Sequence, residues 1–492
     1  MTKVDLAAPP PSALVGAARG GLGNLAGAAV AGIAGVAVTW LVARVLGPAA
    51  AGSFFAATSA FVLAGSVARL GTTTALVYWP ARLRAQGRPE LIGACLRAGL
   101  VPVLVLSTAL AVGLWFGAPA FFPDFAGPLR TLALFLPVAA LADALLAATR
   151  GYRLMLPTVV LDKVMRPGTQ LLGVASLALI TAPVYLWALA WVLPYVPVFA
   201  FAAVLVWRHW HASPALEGPA VIDGRPAART FWRFTAPRAV ASGAQAALQR
   251  VDVLMVASLA GLVPAAAYAV AGRFIVMGQL ANGAISQAVQ PRLAELLSTN
   301  DHAGAARLYQ TATAWLVLLS WPLHLLVFHY AELYLRFFGE SYVFAAPAVR
   351  VLSGAMLVAT GCGMVDIVLS MAGRTTWNLM NVLLALGTMV VIDILAIPVL
   401  GVLGAAIGLA AAVLVNNLLP LAQLGWSLGL HPFGSATLTA MALTLLSFLV
   451  VPWLVRAPIA GVCAGACVYA LGLRICYRRL GLAIVLAARN RR

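Results

Sequence analysis

The chain has 492 residues, of which 63% are hydrophobic and only 9% charged, yet its formal net charge is +18. Its mean hydropathy is +0.97 and its apolar stretches reach about twenty residues or more, which excludes a soluble nucleic-acid binder, the usual reading of so basic a protein. The runs are continuous and lack dyad alternation, which excludes a membrane β-barrel and leaves an all-α polytopic membrane protein.

The start, residues 1–12, is polar and proline-rich (Pro9, Pro10, Pro11) with Lys3 as its base. The stretch from Leu22 to Leu46 is too long for a signal-peptide core and lacks a cleavage pattern, so it reads as the first transmembrane helix. Fourteen helices are predicted, at about 22–46, 50–78, 91–117, 128–149, 157–181, 184–207, 235–260, 264–290, 308–330, 347–372, 376–399, 402–426, 436–454 and 457–474. Prolines and glycines mark many of the breaks, among them Gly47-Pro48, Pro80, Pro119, Pro128, Pro183 and Pro264.

The longest polar connection, Arg208 to Thr230, divides the chain after the sixth helix. The expected units are 1–207, a six-helix lobe with its N-terminal tail; 208–230, an inter-lobe loop; 231–426, a second six-helix lobe; and 427–492, helices 13 and 14 with a basic tail. The stretch Ala43–Gly52 is weakly echoed by Ala257–Ala266, each ending one helix and opening the next. Parallel repeats about a membrane-normal axis are a transporter signature, with the substrate path between the lobes.

With the N-terminus inside, the inner connections collect most of the bases. They include Arg82, Arg84, Arg88 and Arg97; Arg150, Arg153, Lys163 and Arg166; and Arg208, Arg225, Arg229, Arg233 and Arg238. The outer connections hold only Arg130, Arg336, Arg350 and Arg456. Short basic loops stay in the cytoplasm, so both termini are expected there. The basic tail, Arg474 to Arg492, suits topological anchoring or the anionic headgroups of membrane lipids.

A few charges fall inside the runs. An arginine at mid-membrane costs several kcal/mol, so it faces a partner or a wet cavity. Arg69 lies late in helix 2, Arg250 in helix 7 and Arg273 early in helix 8; Arg44, near the outer end of helix 1, can snorkel instead. Guanidinium forks suit bidentate capture of a pyrophosphate, and pairing with other buried charges is the competing role. Asn24, Gln249 and Gln279 join them as candidate substrate-lining groups, with interhelical hydrogen bonding as the alternative. Asp143, Asp162, Asp252, Asp366 and Asp393 lie within or beside the helices. Asp252 and Asp366 are the candidates for coupling to protons or Na⁺, while Asp162 is placed i,i+4 to Arg166 for a local ion pair. Trp79, Trp115, Trp207, Trp210 and Trp232 read as interfacial anchors.

The five cysteines read as packing thiols, His209 and His211 as part of a solvated loop, and no metal site is expected. No GxxxxGK[ST] loop occurs, so neither a nucleotide nor another cofactor is expected.

Several of these stretches resemble polysaccharide-biosynthesis flippases, the Wzx-like branch of the superfamily that also holds MATE drug exporters and the lipid II flippase MurJ. The similar segments are Asn24 with Ala43-Arg44-Val45-Leu46-Gly47-Pro48 through Phe54; Gln290–Ala294; Phe338–Tyr342 with Ala346-Pro347; and Gly401–Gly408. The resemblance implies a MATE-like bundle of two six-helix lobes and a terminal pair, rocking by alternating access. It implies a non-enzymatic carrier of undecaprenyl-pyrophosphate-linked oligosaccharide in a bacterial cytoplasmic membrane. A coupling ion (proton or Na⁺) and polysaccharide polymerase and export machinery would be its partners. A lipid II flippase, a cation-coupled drug antiporter and a non-transporting envelope scaffold are the alternatives. The surplus of intramembrane arginine speaks against cationic drugs, and the Arg-Val-Leu-Gly-Pro form favours the exopolysaccharide branch.

Overall fold

The computed structural model describes residues 11–211, 220–222, 224–455 and 457–480, with side chains from residue 26 onward. The first half runs through α1 (Pro11–Val45), α2 (Pro48–Ala68), α3 (Thr72–Ala85), α4 (Ile92–Phe121), α5 (Ala126–Ala133) and α6 (Leu136–Gly151). A π-helical segment, Thr158–Met165, leads into α7 (Arg166–Leu177), followed by α8 (Val184–Val192) and α9 (Tyr195–His211). A two-residue antiparallel pair, β1 (Val221–Ile222) with β2 (Arg225–Pro226), precedes α10 (Ala227–Leu259). Then come α11 (Leu262–Ala271), α12 (Arg273–Ser298), α13 (His302–His329), α14 (Ala331–Phe338), α15 (Ala346–Gly361), α16 (Val365–Met371), α17 (Thr375–Leu400) and α18 (Val402–Leu428). The chain closes with α19 (Ser435–Leu445), α20 (Val451–Val455) and α21 (Pro458–Cys476).

In hydrocarbon each backbone polar group must find its partner within its own segment, and long runs of Ala, Val and Leu do so as helices. Among the described residues, eleven helical stretches are long and apolar enough to cross a membrane, and Pro123–Ala133 with Leu136–Gly151, bent by 51°, makes a twelfth if the pair is one span. The other two of the fourteen predicted, about 157–181 and 235–260, are helical but too polar to count among them. Asp162, Lys163 and Arg166 lie in one, and Arg250 and Asp252 with a basic start in the other. The count of fourteen therefore rests on twelve at most by length and composition.

Several predicted rods are interrupted. The second breaks at residues 69–71, where the Thr72 amide and hydroxyl both donate to the Arg69 carbonyl, at 2.8 and 2.7 Å. Gly71 has φ +67°, and a Cβ there would stand 2.6 Å from the Ala239 backbone nitrogen. The break thus follows from close approach of α10, which requires glycine's missing side chain. The eighth rod breaks at Gly272, immediately before Arg273, and the tenth between α15 and α16. There the Tyr309 hydroxyl takes up the Cys362 carbonyl at 2.5 Å.

Between the two halves, α2 packs on α10 and α11. The start of α10 belongs to the first half by packing. Phe231 is fully buried beside Leu76 and Gly99, the Trp232 indole donates to the Ala98 carbonyl at 3.1 Å, and Phe234 stacks on Tyr78 with ring centroids 4.4 Å apart. Farther along, Leu248 packs with Ala385 and Met389 of α17. At the other end of the bundle the Trp40 indole donates to the Phe337 carbonyl at 2.8 Å and the Tyr342 hydroxyl to the Ala43 carbonyl at 3.0 Å. Within the second half Asn381 and Gln423 exchange two hydrogen bonds, 2.8 and 3.0 Å, across α17 and α18, the kind of amide pairing that holds helices together in lipid.

Three smaller expectations change. Cys95 and Cys362 are buried, but Cys463 and Cys467 are exposed, on a face of α21 that the described residues leave uncovered. Trp79 is buried against Phe234 instead of standing at an interface. His209 and His211 extend α9, each with Nδ1 beside the carbonyl four residues back.

Candidate functional site

Two cavities lie next to each other and share one side chain. The first, about 470 Å³, is bounded by α2, α6, the π-helical segment, α7 and α9. The second, about 360 Å³, lies among α10, α11, α12, α15, α16 and α18, with Ser59 of α2 on its wall. Arg250 of α10 lines both.

The first cavity is dominated by charge. Arg69, placed at the helix break after α2, is ion-paired through Nη1 with Asp143 Oδ2 of α6. Arg166 places Nη2 2.6 Å from Asp162 Oδ1, the i,i+4 pair read from the sequence, and Nη1 3.8 Å from Asp143 Oδ1. Its guanidinium lies 4.7 Å from the centroid of the Tyr195 ring, within cation–π range. The Asp143 and Arg69 side chains keep 24% and 25% of their surface, so the pair faces the cavity and is not sealed in the core. Arg150 and Arg166 each bury an Nε with no hydrogen-bond partner, and Thr158 a hydroxyl likewise.

The second cavity has an apolar wall interrupted by neutral amides and hydroxyls and by four charged side chains, Arg250, Asp252, Arg273 and Asp366. Gln249, Gln279, Asn282, Asn416, Asn417 and Thr360 face it. The Asp252 carboxylate is occupied: it accepts from the Tyr268 hydroxyl and from the Val253 amide, each at 2.7 Å. Asp366 lies on the wall in the first turn of α16. Arg273, the first residue of α12, buries an unpartnered Nε, with its guanidinium 5.9 Å from the Phe55 ring centroid. No ion pair joins Arg250 to Asp252 among the described residues, although only Val251 separates them.

The structure thus brings Arg250, Arg273, Gln249, Gln279, Asp252 and Asp366 around one cavity and places Arg69 with Arg250 on its neighbour. Arg44 lies on neither: it is exposed in the last turn of α1, where a long side chain can reach the membrane boundary. The Asn24 side chain falls outside the described residues. Sequence reasoning missed Arg150 and Arg166 as cavity residues, because bases near helix ends are indistinguishable from topological anchors in a linear sequence. It also missed Asn416 and Tyr268. Asp393, placed near a helix end by sequence, is fully buried on α17 with both carboxylate oxygens unpartnered. Among the described residues no group of three or more His, Cys, Asp or Glu side chains can hold a metal ion.

A family model described as MatE matches residues 237–399. No curated protein matches the chain by sequence. Among solved structures, the lipid II flippase MurJ in an inward-closed conformation is similar at TM-score 0.71 and 13% identity, covering 92% of this chain and 97% of that one. A multidrug-resistance MATE family transporter of the MOP superfamily, inward-facing, is similar at TM-score 0.61 and 16% identity, covering 81% of this chain and 95% of its own. A MOP-superfamily transporter from Pyrococcus furiosus, described as having a binding pocket of reversed polarity, is similar at 0.59 and 15%, over 84% and 95%. The chain has the all-α polytopic fold of these transporters, and its MatE-matching segment spans α10 through most of α17.

Proposed function

We propose that the protein is a flippase that moves a lipid-linked oligosaccharide, carried on undecaprenyl pyrophosphate, across a bacterial cytoplasmic membrane by alternating access. The observation that carries this reading is Arg250, which faces both cavities and has no ion pair among the described residues. A cation left uncompensated within a helical membrane bundle is favourable only where an anion or water completes it. Arg69 and Arg273 extend the same path on either side of it. The amide-rich second cavity suits sugar hydroxyls, whose hydrogen bonds need donors and acceptors but no charge. Asp252 and Asp366 are the proposed ion-coupling carboxylates, and the buried Asp393 joins them on geometry. The lobes are proposed at 1–207 and 231–426 with α10 reaching from one to the other, both termini in the cytoplasm, and glycan polymerase and export machinery as partners. A drug antiporter for cations is disfavoured by the guanidiniums of the first cavity.

The test is export of cell-surface glycan, with the lipid-linked precursor followed, in the Arg250→Ala/Arg273→Ala double variant at unchanged abundance. Export should collapse and precursor accumulate, while Arg44→Ala exports normally. Normal export in the double variant would sink the reading.

A further inference from the structure

At the end of the bundle opposite the arginine-rich connections, the two halves exchange helix caps. A helix leaves its last four carbonyls without intrahelical partners. Ala43 lies in the last turn of α1, and Phe337 in the last turn of α14. Each of these carbonyls is taken by a side chain of the other half. The Tyr342 hydroxyl donates to Ala43 at 3.0 Å, and the Trp40 indole of α1 donates to Phe337 at 2.8 Å. The Trp40 and Phe337 rings also touch, with centroids 5.8 Å apart. The first bond is buried, whereas the second lies at the rim, where water can replace it.

The groups on the second half are fixed within that half. α14 and the 3₁₀ segment Glu340–Ala345 form a hook, turned at Gly339 and clasped by the Arg336–Glu340 pair at 3.3 Å. Glu332 at its start reaches Arg350 of α15 at 3.3 Å, and the Tyr334 hydroxyl donates to the Val270 carbonyl of α11 at 2.8 Å. At the same end, α2 and α11 pass so closely that a Cβ on Gly52 would overlap the Leu262 carbonyl. The two echoed stretches of sequence, Ala43–Gly52 and Ala257–Ala266, therefore meet there.

We infer that this hook, residues 331–345, is a latch that holds the outer end of the carrier shut, and that it releases α1 before either cavity opens to that side. The inference rests on the two-lobe, alternating-access part of the reading above and not on its substrate. Rocking the halves apart breaks both bonds at once, because each donor and acceptor sits on an element held by its own half. All four groups then find water, so each bond biases the closed state by only a modest factor. A cycling carrier needs that modesty: the closed state is held without being trapped. Neither bond involves a charged group, so the latch works independently of any coupling ion. The Gly52 contact acts in the same direction through steric fit, since a side chain there would prop the end open.

The test measures access to the second cavity from outside. Asn416→Cys places a thiol on its wall, and a membrane-impermeant maleimide is applied to right-side-out vesicles holding the full-length protein. Labelling is counted above that of the native cysteines, with thermal unfolding as the fold control. Tyr342→Phe, which deletes one hydroxyl and keeps the ring, should raise the labelling rate by roughly three- to tenfold, and Trp40→Phe by about two- to threefold. Tyr334→Phe removes a bond of the same kind inside the second half and should leave the rate unchanged. An unchanged rate in both Tyr342→Phe and Trp40→Phe, or an equal rise in Tyr334→Phe, overturns the latch. If Tyr342→Phe does not fold, Trp40→Phe at the exposed rim decides the matter. Labelling needs no glycan, so its outcome is separate from the export test. Faster labelling beside normal export in the Arg250→Ala/Arg273→Ala variant keeps the latch and removes the flippase reading; unchanged labelling beside collapsed export does the reverse.

Discussion

The two cavities are neighbours of similar size that differ in how densely they are charged. The first, formed by elements of the N-terminal half plus Arg250, is built from full charges that neutralise one another in part. The second, formed mainly by elements of the C-terminal half, sets amides and hydroxyls among apolar side chains, with Arg250, Arg273 and Asp366 as its fewer charges and Asp252 satisfied internally. The contrast teaches that a low-dielectric interior need not exclude polarity if it sorts it. Charges are gathered where they can pair or receive a counter-ion, and neutral groups where a ligand can be read by hydrogen bonds. Arg250 is the one guanidinium on both walls, so the contrast is also a boundary within one path.

That boundary can be broken most directly at Arg250. Arg250→Ala should lower glycan export on the order of a hundredfold, because it removes a charge-assisted contact from both cavities. Arg273→Ala touches only the second and should cost less. Equal losses in quantitative export assays would mean that the cavities do not form one path. The scaffold of the first cavity is tested at Gly71, whose φ is +67° and whose absent Cβ admits the α10 backbone. Gly71→Ala should destabilise the bundle by about 2 kcal/mol, read as a lower unfolding temperature in detergent, with Arg69 displaced from Asp143.

A third change sharpens the second cavity's neighbourhood. Asp393 keeps two carboxylate oxygens unpartnered at zero exposure, with one of them lodged against Gly408. Asp393→Asn replaces a buried, unpartnered carboxyl by a neutral amide of the same shape and should leave stability within about 1 kcal/mol while abolishing the dependence of transport on an ion gradient. A stable variant that still couples would leave Asp393 a structural residue. The smallest effect is expected at Asn416, a cavity-facing amide with no hydrogen bond to protein among the described residues. Asn416→Ala should raise the substrate concentration needed for half-maximal export by about three- to tenfold, the value of one hydrogen bond. A loss as large as that of Arg250→Ala would erase the division between the cavities.

Much of the architecture is legible in the chain because lipid allows few solutions: a long apolar run must become a helix, and its charge must lie at an end, in a pair or in a cavity. The Arg166–Asp162 pair could be read directly, since a spacing of four places two side chains on one helical face. Arg69 and Asp143 could not. They are separated by 73 intervening positions, |i−j| being 74, and meet only because Gly71 breaks the second rod and α6 packs beside it. Arg150 and Arg166 looked like anchors and proved to be cavity walls, while Arg44 looked like a cavity residue and stands exposed.

The sequence by itself determined the membrane class, the helical rods and the presence of intramembrane arginine, because hydropathy and charge act locally and are additive along a chain. The tertiary structure decided where the rods break, which charges cancel, and which arginines share a cavity. Those outcomes depend on contacts between helices distant in sequence, where a missing Cβ or a carboxylate reaching across from another helix sets the geometry, and no periodicity along the chain encodes them.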